Sequence, residues 1–171
     1  MSFESLMKNE TIKKIIINFA IVLFIFFLDR ITKILILDIA EETGNVDIYI
    51  NSFFNLYLVW NKGIGFGLLS FDETYIYNSI TILIFIINLV IVYLIYLEKG
   101  LKTYFLLAIL GGSIGNLFDR LYFNAVPDFL DFNYKGFHWF IFNVADIFIT
   151  KGVICLILDE LFSYKKTNEI K

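Results

Sequence analysis

Tyr75–Leu97 reads YIYNSITILIFIINLVIVYLIYL and contains no charged side chain. A hydrocarbon core about 30 Å thick is crossed by roughly 20 residues of helix, because each helical residue advances about 1.5 Å. The stretch is therefore long enough to cross a bilayer once. It is predicted to be helical, because lipid offers no partner to backbone polar groups and a helix satisfies them internally.

Three further apolar runs resemble this one, at residues 15–37, 103–118 and 137–158. The first run is uninterrupted to Leu28 and continues past Asp29, Arg30 and Lys33 to Leu37. The last run is interrupted by four polar residues: Asn143, Asp146, Thr150 and Lys151. The sequence thus predicts an all-α integral membrane protein with four transmembrane helices. A single polytopic domain over residues 1–171 is expected.

The composition excludes a water-soluble domain. Of the 171 residues, 58% are hydrophobic and 18% are charged, and the mean hydropathy is +0.74. The formal net charge of -3 gives no basic surface for nucleic acid. We expect a monomer whose main partner is membrane lipid.

The basic residues indicate the orientation. If the chain crosses the membrane four times, both termini and the turn between the second and third runs lie on the same side. Most of the lysines that flank the runs are on that side: Lys8, Lys13, Lys14, Lys99, Lys102, Lys165, Lys166 and Lys171. By the positive-inside rule this side is cytoplasmic and holds both termini, so residues 38–72 and 121–136 form the outer loops. Within the first outer loop, residues 48–60 are rich in aromatic and branched residues and are predicted to form an extended strand at the interface.

Polar residues gather near the predicted outer ends of the first and third helices. Asp29 and Lys33 are four residues apart and share a helix face, which suits a structural ion pair as well as a functional one. In the third run, Gly111 and Gly115 allow close helix approach. They are followed by three polar residues on one face: Asn116, Asp119 and Arg120.

Asp146 is the strongest candidate for function, because ionisable groups at membrane depth are costly. A structural hydrogen bond between helices is the alternative. Placed about 10 Å of helix rise below the start of its run, Asp146 is within reach of a loop carboxylate, either Asp128 or Asp131. Two carboxylates sharing one proton can activate water towards a carbonyl group, which suits peptide hydrolysis.

Other motifs point to no further chemistry. Residues 111–115 match G-x-S-x-G, but the nucleophile elbow needs a strand–turn–helix and a His base. The glycines at 63–67 lack the spacing of a nucleotide-binding loop. His138 is the single His, and Cys155 is remote from it, so neither a metal nor another cofactor is expected.

Five blocks resemble, in order, those of bacterial lipoprotein signal peptidases (signal peptidase II), and the resemblance covers nearly the whole chain. The blocks are DRITK at 29–33, NKGIGFG at 61–67, GSIGNLFDR at 112–120, VPDF at 126–129 and FNVAD at 142–146. The third and fifth are the most specific at this order and spacing. Gly65 stands where the family usually has Ala.

The resemblance implies an intramembrane aspartic endopeptidase with Asp128 and Asp146 as the catalytic pair. It implies that four residues line the site: Asn61, Asn116, Arg120 and Asn143. It gives a supporting role to Asp29, Lys33 and Asp119. The implied reaction removes the signal peptide of a prolipoprotein before its diacylglyceryl-modified Cys, near the outer face of the bacterial inner membrane. The extended segment of the first outer loop would form a cradle over the site.

Two hypotheses from other classes compete with this one. A proton-coupled transporter or channel would also carry intramembrane Asp and Lys, although here the carboxylates cluster at one face. A membrane scaffold would use the same Asn and Asp residues to join helices. Loss of peptide cleavage on a single Asp→Asn change, with the fold intact, separates the peptidase from both.

The distribution of basic residues predicts that a Cys introduced at Asn45 is labelled from outside intact cells, whereas one introduced in the turn at 98–102 is not. Membrane-impermeant maleimide labelling, before and after permeabilisation, measures both. Labelling at position 45 only after permeabilisation contradicts the predicted orientation.

Overall fold

The structure, a computed structural model, describes residues 3–63, 74–134 and 137–169. Within these ranges the chain forms four helices, namely α1 (Phe3–Thr43), α2 (Thr74–Leu97), α3 (Leu101–Phe123) and α4 (Val144–Glu169). It also forms four strands, namely β1 (Asp47–Asn51), β2 (Phe54–Asn61), β3 (Val126–Tyr134) and β4 (Phe137–Phe142). The end of the NKGIGFG block and acidic Asp72 lie outside the described residues, as do the side chains of His138 and Trp139.

Three of the described helices are long and apolar enough to cross a membrane, and they correspond to α1, α2 and α3. This confirms three of the four predicted spans by length and composition. The helix α4 has 26 residues but is interrupted by charge, at Asp146, Lys151, Asp159 and Glu160. Lys151 is exposed on this helix, where its long side chain can extend towards a polar interface.

The helix α3 is the centre of the bundle and packs against the other three helices. Its buried Leu106, Leu107 and Leu110 form a hydrophobic core with Val22 of α1 and Ile91 of α2. Apolar side chains on the far side of α2, such as Phe85 and Ile86, are exposed instead. That is the pattern of a helix with one face on protein and the other on lipid.

The helices α3 and α4 run antiparallel at close range because glycines remove side chains from their contact. A Cβ on Gly112 would lie 2.5 Å from the carbonyl oxygen of Ala145, and one on Gly152 would lie 2.8 Å from that of Phe105. Further along, Lys102 donates to Glu160 at 2.7 Å. The two helices therefore stay in contact along most of their length.

The four strands form one antiparallel sheet in the order β1-β2-β3-β4. The predicted extended segment at 48–60 is confirmed as strand, folded into the β1–β2 hairpin. Two expectations are wrong, because residues 126–134 are a strand rather than loop and residues 137–142 are a strand rather than the start of the fourth helix. These aromatic runs pair with each other from Tyr134↔Phe137 onwards, which satisfies their backbone groups without helix.

The sheet lies at one end of the helices, and backbone geometry at two turns fixes this arrangement. Asn124, in the left-handed region at φ 55°, caps the end of α3, and β3 begins two residues later. At the other end, Gly100 adopts φ 80° in the predicted turn between α2 and α3. The sheet thus meets the bundle where α1 and α3 end and α4 begins.

Gly112→Ala is expected to lower the midpoint of thermal unfolding in detergent. Ala favours helix over Gly by about 1 kcal/mol, but the added methyl would overlap the Ala145 carbonyl, which is backbone and cannot rotate away. Overpacking of this kind costs about 1–3 kcal/mol, so the steric effect is expected to prevail. Ser79→Ala, at an exposed position of α2, is the control. A Gly112→Ala protein as stable as the control contradicts the close contact.

Candidate active site

One residue, Asn143, bonds both carboxylates that the sequence singled out, Asp128 through its side chain and Asp146 through its backbone N–H. Asn143 lies between β4 and α4 and is fully buried. Its Nδ2 donates to Asp128 Oδ1 at 2.6 Å, and its Oδ1 accepts from the backbone N–H of Asp146 at 3.1 Å. The pair thus forms where a strand of the sheet meets the first turn of α4.

Asp146 lies in the first turn of α4, and not about 10 Å down a helix as the sequence indicated. Its Oδ2 accepts from the backbone N–H of Asn143 at 3.2 Å, so the two residues cap each other's backbone at the helix start. The positive end of the helix dipole favours a negative charge at this position. The expected depth was wrong because the fourth helix starts later than predicted.

Asp128 is held from its other side by the end of β2. Asn61 Nδ2 donates to Asp128 Oδ2 at 2.8 Å, while Asn61 Oδ1 accepts from the backbone N–H of Gly63 at 2.8 Å. The pairing of β2 with β3 shifts register between Leu56 and Val59, next to Asp128. Such a bulge redirects nearby side chains.

Burial and the nearby carboxylate of Asp146 raise the pKa of Asp128 to about 7. Burial is the larger cause, because it removes water from the charged form. Hydrogen bonds from Asn61 and Asn143 oppose the rise but do not cancel it. Asp128 is therefore protonated more readily near neutral pH than an ordinary carboxyl.

The remaining oxygen of Asp146 is bonded by α3. Asn116 Nδ2 donates to Asp146 Oδ1 at 2.9 Å, and Asn116 Oδ1 accepts from Lys33 Nζ at 2.9 Å. The ammonium of Lys33 also donates to Asp29 Oδ2 at 2.8 Å and to Asp119 Oδ2 at 2.6 Å. Lys33, Asp29 and Asp119 are fully buried, so the predicted pair of Asp29 and Lys33 belongs to a larger network.

Asp29 also touches the helix that carries Asp146. Its Oδ1 accepts from the backbone N–H of Ala145 at 2.9 Å. A Cβ on Gly115 would lie 2.7 Å from Asp29 Oδ2, so the absence of a side chain there makes room for the carboxylate. The network thus ties α1, α3 and the start of α4 together beneath the pair.

Arg120 shares a helix face with Asn116 and Asp119 as predicted, but its guanidinium bonds Gly63 and neither of the two carboxylates. Its Nη2 donates to the Gly63 carbonyl, and its guanidinium lies 5.3 Å from the ring centre of Tyr77. The Tyr77 hydroxyl donates to the Arg120 carbonyl at 3.1 Å. Sequence reasoning missed Tyr77, which carries no motif and is buried against α3.

Arg30 belongs to the same network as Lys33, Asp29 and Asp119. It donates to Asp119 Oδ1 and lies over the ring of Phe118 at 5.2 Å. In the sequence Arg30 belongs to the DRITK block, but nothing there indicated which residue it would bond.

Asp131 is separated from the pair by the geometry of β3. It is fully buried, but it accepts from Asn133 Nδ2 at 3.2 Å and pairs in register with Asn55 of β2. Asn143 instead bonds Asp128. The choice between Asp128 and Asp131, left open by the residues alone, is resolved in favour of Asp128 as the neighbour of Asp146.

Both carboxylates face a cavity of about 460 Å³. Its polar wall includes Asn61, Asn116, Arg120 and Asn143. The rest is mainly branched apolar side chains of α2, α3 and α4: Ile84, Ile87, Ile91, Ile109, Ile149 and Val153. Among the described residues, no group of three or more His, Cys, Asp or Glu is placed to hold a metal ion.

The family follows from comparison with known proteins. The sequence model of the family described as signal peptidase (SPase) II matches residues 21–162, which is most of the chain. The chain belongs to the signal peptidase II family. It is therefore a membrane protein of a peptidase family, and the family resemblance inferred from the sequence is confirmed.

Curated relatives agree over nearly full length. A protein named lipoprotein signal peptidase from Pelagibacter ubique is 53% identical over 95% of this chain and 99% of its own. One of the same name from Rickettsia felis is 37% identical over 94% of this chain and 83% of its own. Because they cover nearly the whole chain, both alignments span all the residues that line the cavity.

Solved structures share the fold. One described as a bacterial membrane enzyme, solved by the in meso method, has a TM-score of 0.70 and 27% identity, covering 87% of this chain and 90% of its own. A second with the same description has a TM-score of 0.65 and 28% identity, covering 84% and 92%.

Proposed function

We propose that this protein is an intramembrane aspartic endopeptidase that removes signal peptides from prolipoproteins by hydrolysis before the diacylglyceryl-modified cysteine. The observation that carries the proposal is the pair Asp128 and Asp146, buried and joined through Asn143 at the wall of one cavity. The substrate class is supported by the family and by the names of the curated relatives.

The pair can hydrolyse a peptide with one shared proton. One carboxylate takes a proton from water, whose oxygen attacks the scissile carbonyl carbon, while the other carboxyl gives its proton to the carbonyl oxygen. In the resulting diol the C–N bond then breaks. The leaving nitrogen takes the proton held by the first carboxyl, and the second recovers one from a diol hydroxyl. One water is consumed, and the pair returns to its starting state.

The cavity suits a substrate that is part peptide and part apolar. The amides of Asn61, Asn116 and Asn143 already bond the carboxylates and hold them in place, which lowers the reorganisation needed during reaction. The isoleucine-lined wall can receive apolar groups. We assign Arg120, in the polar wall, to substrate contact. We assign Asp29, Lys33 and Asp119 to the support of the site as a whole.

We also propose that α4 is the fourth transmembrane helix of a single monomeric domain. It follows α3 in the antiparallel direction from Ala145 to Glu160, which corresponds to about 22 Å of helix rise. The sheet would then lie at the outer face of the bacterial inner membrane, with both termini in the cytoplasm, as the basic residues indicate. No metal or other cofactor takes part in the proposed reaction.

The transporter hypothesis fits this geometry less well. An ion pathway needs polar or titratable groups in succession across the membrane. Here, in the part of the chain that the structure describes, the charged or titratable groups of the cavity are Arg120 and the carboxyl pair alone. The neutral polar residues of its lining are Asn61, Ser113, Asn116, Asn143 and Thr150, and the remaining wall is apolar.

Asp128→Asn and Asp146→Asn are each expected to abolish cleavage of a lipid-modified prolipoprotein peptide by the purified protein. The amide is nearly isosteric, so folding should survive, but it can neither take the proton of water nor return it. Because the two act as a unit, the double variant should be little worse than either single one. Asp131→Asn is the matched control and should keep much of the activity. An inactive Asp131→Asn beside an active Asp128→Asn contradicts the assignment.

The rate is expected to fall on the alkaline side of neutrality. Since the pKa of Asp128 is raised to about 7, the pair loses its shared proton as pH rises through this value, and the acid needed for catalysis is lost. At low pH both carboxyls become protonated and the base is lost, so kcat/KM should follow a bell-shaped curve. A rate that stays constant from neutral to strongly alkaline pH argues against a shared proton.

A further inference from the structure

The orientation of each amide around the pair is fixed by a donor on its oxygen. Backbone N–H groups bond the oxygens of Asn61 and Asn143, from Gly63 and Asp146 respectively. For Asn116 that donor is a charged side chain, Lys33, at 2.9 Å. A lysine ammonium has donors and no acceptor, so it can bond only the oxygen of the amide. The NH2 group of Asn116 must then point to Asp146, as it does at 2.9 Å.

The charges around the two carboxyls are arranged unequally. Asp146 accepts hydrogen bonds from the Asn116 amide, which is itself bonded to the buried Lys33, and from a backbone N–H group. It also lies at the positive end of a helix dipole. Asp128 lies on a strand and receives neutral amides from Asn61 and Asn143. These donors therefore stabilise the ionised form of Asp146 more strongly than neutral amides alone stabilise that of Asp128, and they oppose the effect of burial.

We propose that Lys33 is a positioning residue that acts through Asn116 to keep Asp146 ionised, so that Asp146 is the base and the shared proton stays on Asp128. This inference rests on the proposed peptidase function. In the reaction, Asp146 takes the proton of the attacking water, and Asp128 gives its proton to the carbonyl oxygen. Lys33 does not line the cavity and takes no part in the proton transfers.

Other charged groups near Asp146 do not replace Lys33. From α1, Asp29 opposes ionisation by like charge, and from α3, Asp119 is already shared between Lys33 and Arg30. Arg120 of α3 lines the cavity but donates to the Gly63 carbonyl and stacks on Tyr77 of α2. From β3, Asp128 is the partner of the pair.

The test is the pH profile of kcat/KM for a lipid-modified prolipoprotein peptide, measured on the full chain in detergent. Lys33→Met is expected to move the acidic limb to higher pH by about one unit, which lowers kcat/KM about tenfold below that limb. Lys33→Arg should recover part of the shift because it keeps the charge. Lys102→Met, which removes a partly exposed ion-paired lysine at the far end of α3, should leave the profile unchanged.

Asn116→Leu covers the case in which Lys33→Met does not fold, because it leaves Lys33 between Asp29 and Asp119. It should move the same acidic limb in the same direction, and adding Lys33→Met should shift it little further. Asn61→Leu makes the corresponding change at Asp128, the other carboxyl of the pair. It removes a donor from Asp128 and should move the alkaline limb to higher pH.

Two results would overturn the inference. If Lys33→Met and Asn116→Leu move the alkaline limb upwards and leave the acidic limb in place, Asp146 holds the shared proton and the roles are reversed. If both lower the rate equally at every pH, Lys33 has a structural role only. Either result leaves the peptidase proposal standing, which fails instead if Asp128→Asn or Asp146→Asn still cleaves.

Discussion

The arrangement of this protein depends on the need to satisfy every polar group of Asn143. This side chain is fully buried, and its amide gives one end to Asp128 of the sheet and the other to the first turn of α4. A buried amide left without partners would cost several kcal/mol in surroundings of low polarity. The sheet, the helix start and the two carboxylates are therefore held in register by one residue, and a shift of any of them would leave polar groups unpaired.

Glycines at helix contacts extend this constraint to the bundle. Gly112 lets α4 begin directly against α3, and Gly115 leaves space for the carboxylate of Asp29. Van der Waals packing takes the place of hydrophobic association between helices in lipid, so close contact is the main source of stability there. The buried charge of Lys33 is then tolerable because its ammonium is shared among three acceptors.

The sequence was most informative where chemistry is costly and least informative where only apolar character was visible. Asp146 stood out because a carboxylate in an apolar run needs a reason, and charge-free α2 could be read directly. Residues 137–142 are apolar in a helix and in a strand alike, so periodicity did not separate the two. Their pairing with the aromatic run before them was the missed signal, since two such runs separated by two residues, the second a Gly, suggest a hairpin. The contact of Lys33 with Asn116 could not be foreseen, because it joins two helices far apart in the chain.

The cavity has walls from α2 and α4, yet both of these helices pack mainly on α3 between them. The helix α2 thus forms part of the cavity wall without contributing to the carboxyl network of α1, α3 and α4. A ligand anchored in the bilayer would reach the cavity by diffusion in two dimensions, without first leaving the lipid. Its encounter rate would then depend on its surface density in the membrane and on the fluidity of the lipid, and not on its concentration in water.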